Sequence, residues 1–161
     1  WDESYNDLIT ENMEEILFDS FPGAEVNWSL SSCQGDGVSF TGSWHGSELQ
    51  KIVELVYKGN IPRNVKRILK LRPELELKRI DHRYAHEYTV QTNLVLNCYN
   101  QTRICLAIEQ IENVIDSFRV GLCKQLEKAG YKDIEYYSSA ECFAESAESN
   151  EWEFTESGVM L

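Results

Sequence analysis

The sequence is 161 residues long, with 42% hydrophobic and 11% aromatic residues. That is one domain's worth of chain (1–161), able to bury a core without staples and too apolar for a disordered one. Its formal net charge of −12 sets up a field that repels nucleic acid and attracts basic protein grooves.

The charge is sorted along the chain. Residues 1–50 carry ten Asp or Glu and no Lys or Arg; residues 51–132 hold all 15 basic residues against nine acidic ones; residues 133–161 carry eight acidic residues and no basic one. The balance runs −10, +6, −8. No run of about 18 apolar residues occurs, so no membrane span is expected. The sequence opens without a signal-peptide pattern, and its five cysteines are widely spaced with no C-x-x-C. Free thiols in a reducing cytoplasm are therefore expected, and neither a disulfide framework nor a zinc ribbon.

Residues 3–19 have the three- and four-residue spacing of an amphipathic helix, with Leu8, Ile9, Met13, Ile16 and Leu17 on one face and Asp7, Glu11, Glu14 and Glu15 on the rest. Phe21-Pro22-Gly23 ends it. Large and small residues alternate over 26–32 and again from Val38 to Trp44, the period-two pattern of a hairpin. Asp36-Gly37 in its turn suggests the positive φ angles of tight hairpins. Gln34-Gly-Asp-Gly37 lacks the Lys-Ser/Thr of a phosphate loop and leads into a strand, so a structured turn is expected.

A helix over 47–58 and a short basic helix over 62–72 follow, the second opened by Pro62 and closed by Pro73. Residues 75–80 and 87–98 read as a second hairpin. The longest helix spans about 101–129 on a stripe that includes Ile104, Ile108, Ile111, Val114, Ile115, Phe118, Leu122 and Leu126, with Gly130 as its C-cap. Ser138 and Glu141 suggest a capping box that opens a helix to about 149. Residues 151–155 and 159–161 add a short strand or an ordered tail. The expected fold is α+β: an antiparallel sheet of four to five strands, made of two hairpins and packed with several helices, one of them long.

No complete catalytic motif is present and no cofactor is expected. His45, His82 and His86, with neighbouring carboxylates, would form a metal or catalytic site if the two hairpin ends met. Arg63, Lys66, Arg67 and Lys70 would make a nucleic-acid patch, a reading that the whole-chain charge opposes. The acidic ends are the stronger interaction candidates: Glu11, Glu14 and Glu15 in the first helix, and Glu141, Glu145 and Glu148 in one helical stripe. Glu151, Glu153 and Glu156 then alternate with Trp152 and Phe154. Such like charges repel, and carboxylates flanked by rings can imitate a phosphate backbone with stacked bases.

The stretch Ser29-Leu-Ser-Ser-Cys-Gln-Gly-Asp-Gly-Val-Ser-Phe-Thr-Gly42, the segment His82-Arg-Tyr-Ala-His-Glu-Tyr88, and the close Tyr136-Tyr-Ser-Ser-Ala-Glu141 with Ser149-Asn-Glu-Trp-Glu-Phe-Thr-Glu-Ser-Gly158 resemble patterns of small acidic phage and mobile-element proteins. The resemblance implies a phage origin, a host cytoplasm and an anti-defence setting such as anti-CRISPR. The expected function is then a non-enzymatic inhibitor of a host nucleic-acid-directed nuclease, acting by protein–protein contact without membrane binding.

Overall fold

In the computed structural model the described residues are 4–32, 35–96 and 104–150, with 152, 155 and 158 of the tail. Helix α1 (Ser4–Leu17) buries Ile9, Met13 and Leu17 completely. Leu8 and Ile16, expected on the same face, are 42% and 46% exposed. The buried stripe recurs every four residues, because the helix meets the rest of the molecule along one narrow seam.

Strand β1 (Glu25–Ser29) pairs antiparallel with β2 (Gly37–His45), placing Val26 opposite Phe40 and Trp28 opposite Val38. Helices α2 (Gly46–Val56) and α3 (Arg63–Leu69) intervene before β3 (Glu74–Arg79), which pairs with the second half of β2, Trp44 opposite Leu75. Strand β4 (Val90–Val95) closes the sheet, in the order β1-β2-β3-β4 with every pair antiparallel. Successive side chains point to opposite faces. Val26, Phe40, Trp44, Leu75, Leu77 and Leu94 therefore share the buried face. Thr41, Ser43, Glu74, Glu76 and Lys78 share the other, where the Ser43 hydroxyl donates to Glu74 and Lys78 pairs with Glu76 at 2.7 Å. The fold is α+β, with four strands among the described residues. The expected tail strand falls mostly on residues 151, 153, 154 and 159–161, which lie outside them.

Helix α4 (Cys105–Tyr137) has 33 residues, a rod of about 50 Å. It runs antiparallel to α1, from Phe118 beside Phe21 (centroids 6.3 Å) to Tyr137 stacked on Tyr5 (4.6 Å). Its first half guards the open edge of β4. Glu112 accepts from the Leu94 amide at 2.7 Å, Asp116 from the Thr92 hydroxyl at 2.7 Å, and Arg119 Nη2 donates to the Val90 carbonyl at 3.5 Å. An edge strand that would otherwise template aggregation is thus covered. Arg119 sits inside the expected apolar stripe, 1% exposed, with Nε and Nη2 on Asp116 Oδ1 at 3.1 and 2.8 Å.

Two expectations about α4 are corrected. Gly130 does not cap it; the helix continues to Tyr137. Gly130 is bare because a Cβ there would stand 2.3 Å from Met13 Cε and 2.6 Å from Leu30 Cδ1. Val114, placed in the apolar stripe, is 37% exposed. Helix α5 (Ala140–Ser149) is capped by Ser139, whose Oγ accepts from the Cys142 amide at 3.1 Å, while Ser138 serves as the C-cap of α4.

Candidate functional site

The turn at Gly35-Asp36-Gly37 and the segment His82–Tyr88 meet in space. A Cβ on Gly35 would lie 3.2 Å from the Tyr84 ring; one on Gly37 would lie 2.8 Å from His86 Cδ2 and 3.0 Å from His86 Cα. Neither glycine has a positive φ; among the described turn residues the left-handed one is Ser32, at φ 58°. The glycines were expected for turn geometry, and their role is close approach. Between them Asp36 accepts from the Ser31 amide (2.9 Å), the Ser31 hydroxyl (3.0 Å) and the Tyr131 hydroxyl of α4. That last bond pushes the Tyr131 pKa up, since the carboxylate favours the protonated phenol.

Residues 80–89 form a loop whose ends nearly touch: the Ile80 amide donates to the Thr89 carbonyl at 2.8 Å. Inside it, the Tyr84 amide donates to His82 Nδ1 (3.2 Å), Arg79 Nη2 to the His82 carbonyl (3.3 Å) and the Thr89 hydroxyl to the His86 carbonyl (2.7 Å). Ala85, Glu87 and Thr89 face inward and are buried, whereas Tyr84 and Tyr88 are 38% and 70% exposed. Compact loops of this kind, closed on themselves, often carry function.

This arrangement separates the three histidines. His82 and His86 share the loop, seated at the Gly37 end of β2. His45 lies at the other end of that strand, eight residues and about 26 Å away. The hairpin ends do not converge on a triad, and among the described residues no group of three or more His, Cys, Asp or Glu is placed to hold a metal ion. His86 Nδ1 instead faces the Glu87 carboxylate at 3.1 Å and the Tyr88 amide at 3.4 Å. Cys123 lies buried beneath, its thiol pushed up to about 12 by desolvation.

Helices α1 and α5, remote in sequence, both meet the C-terminal third of α4. Tyr5 of α1 stacks on Tyr137, Asn12 donates to Asp133 at 3.2 Å, and α5 folds back from Ser139. Glu11, Glu14, Glu15, Glu141, Glu145 and Glu148 are all exposed. The ion pairs among the described residues are Lys78–Glu76, His86–Glu87 and Arg119–Asp116; none involves these six carboxylates. Glu145 accepts from the Tyr136 hydroxyl at 2.6 Å.

Of the two rings expected to flank the carboxylates, Trp152 lies over the other flank of α5. At about 100° per residue, Phe143 and Ser146 fall on the flank of α5 opposite Glu141 and Glu148. With Tyr5, Tyr137 and Trp152 they line a cleft of about 410 Å³. Glu151, Glu153, Glu156 and Phe154 lie outside the described residues.

Arg63, Lys66, Arg67 and Lys70 are exposed on and just beyond α3, unpaired with any carboxylate among the described residues. Lys66 and Lys70 border a groove with Gln50, Glu54, Ile61 and Leu69. No signal in the sequence foretold the loop's seat on two glycines or the burial of Arg119.

Residues 5–136 match the family described as Domain of unknown function (DUF8835). The chain belongs to the DUF8835 family. The match takes in the sheet, the glycine seat and nearly all of α4; α5 of this DUF8835 chain lies beyond the matched residues. No curated protein and no solved structure matches the chain. No helix among the described residues is long and apolar enough to cross a membrane.

Proposed function

We propose that this protein is a phage-encoded inhibitor that binds a host nucleic-acid-directed nuclease, of the CRISPR effector class, and occludes its basic groove. The observation that carries the reading is the meeting of α1 and α5 at one end of α4, with six exposed carboxylates that pair with no Lys or Arg among the described residues. Within each helix, like charges spaced three and four residues apart without counter-ions cost stability. The arrangement gains from a partner that supplies the cations, and a concentrated field steers such a partner to it. In this role the protein performs no chemistry of its own. Its carboxylates stand where DNA or RNA phosphates otherwise sit, and its setting is the host cytoplasm.

The test is DNA cleavage by a guide-loaded CRISPR effector nuclease titrated with the protein. Cleavage is expected to fall with added protein, and the triple change Glu141→Gln, Glu145→Gln, Glu148→Gln should slow association and flatten its salt dependence. Cleavage that stays constant across the titration, or a triple variant that inhibits like the parent, sinks the proposal. Affinity capture from a phage-bearing host lysate, read by mass spectrometry, identifies the target.

A further inference from the structure

The loop 80–89 has chemistry that the acidic helices lack. Tyr88 is 70% exposed, and one face of its ring is stacked on His86 with centroids 5.1 Å apart and planes inclined by 26°. With most of the residue exposed, the ring remains accessible to solvent. Tyr84 rests near the bare backbone of Gly35 and carries the Arg83 guanidinium 5.3 Å from its centroid. Arg79, Arg83 and His82 are exposed, and neither arginine is paired with a carboxylate among the described residues. Of the two acidic groups in the loop, Glu87 is buried against His86, which leaves Asp81.

We infer that this loop is a binding site for single-stranded nucleic acid, with Tyr88 as the base-stacking ring and Arg79 and Arg83 as phosphate contacts. An exposed ring already stacked on one side accepts a second π-face on the other, whatever the base. Flanking guanidiniums supply phosphate recognition and salt dependence. The loop is held ready by its internal hydrogen bonds and by the glycine seat, so ordering it at binding costs little. It sits against the Gly37 end of β2. The inference is independent of the proposed inhibitor role and rests on residues that role does not use.

The test is fluorescence anisotropy of a short labelled oligouridine at low ionic strength, with uridine monophosphate as competitor. Tyr88→Ala should weaken binding by roughly fivefold to a hundredfold, the range for one stacked base. Tyr88→Phe should bind like the parent, because the ring and not the hydroxyl stacks. Arg79→Ala with Arg83→Ala should reduce the slope of log affinity against log salt. Tyr88 is mostly exposed, so these changes leave the core untouched. Four results each overturn the assignment: no binding by the parent, undiminished binding by Tyr88→Ala, an equal loss in Tyr88→Phe, or loss through Lys66→Ala with Arg67→Ala instead. Uridine monophosphate binding as tightly as the oligomer overturns the choice of a strand over a mononucleotide.

Discussion

Gly37 lies flat against the backbone of His86, so close that a Cβ would meet His86 Cα at 3.0 Å and the Ala85 carbonyl at 3.1 Å. Both contacts are backbone and cannot swing aside as a side-chain tip can. Gly37→Ala is therefore expected to destabilise the fold by about 1–3 kcal/mol, the usual cost of overpacking. Urea denaturation measures it. Unchanged stability would mean that the loop rides on the hairpin without being seated by it.

The pair Asp116–Arg119 gives an asymmetric prediction. Arg119 is 1% exposed, whereas the Asp116 side chain is 42% exposed. Asp116→Ala strands a buried guanidinium and also removes the acceptor for Thr92, which should cost about 3 kcal/mol or more. Arg119→Met leaves a carboxylate that water can reach and keeps much of the buried volume, so its cost should be smaller. Matched urea midpoints decide the order; the reverse ranking would refute this account of the helix-to-edge contact.

Thiol accessibility should follow burial. Cys105 is exposed, while Cys123 and Cys142 are buried. Desolvation holds Cys123 near 12, so almost none of it is the reactive thiolate at neutral pH. Brief alkylation of the native protein, mapped by mass spectrometry, should mark Cys105 and spare Cys123 until denaturant is added. Prompt native labelling of Cys123 would contradict the packing of α4 on the loop.

The phenol of Tyr136 is pushed up to about 12, chiefly by donating to Glu145. A folded pKa above the unfolded value near 10 means that the native state keeps its proton longer. This contribution to stability is complete below about pH 10 and is lost as pH rises towards 12. Ultraviolet titration should show late tyrosine absorbance, diminished in Tyr136→Phe and moved to lower pH in Glu145→Gln. Late absorbance undiminished in Tyr136→Phe assigns it wholly to other tyrosines, such as Tyr131.

Local repetition made much of this architecture legible. Ile9, Met13 and Leu17 announce a helix, and Val38, Phe40 and Trp44 a strand, because helix and strand periods are imposed by neighbours a few residues away. The same rule misplaced Leu8, Ile16 and Val114, since period alone cannot tell how wide a seam the rest of the molecule offers. Gly130 looked like a helix end because glycine commonly caps helices, and only the side chains of Met13 and Leu30 reveal why it sits inside one.

By itself the sequence determined the helices, the hairpins and the sorting of charge into two acidic ends and a basic middle, all properties of residues close together in the chain. The tertiary structure alone decided that α1 meets the end of α4 that leads into α5, through Tyr5 and Tyr137, that His45 stands apart from His82 and His86, and that Gly35 and Gly37 seat an aromatic loop. The physical reason is that these juxtapositions depend on how rigid elements dock across long stretches of chain, where side-chain volume and backbone approach, and not local periodicity, select the partner.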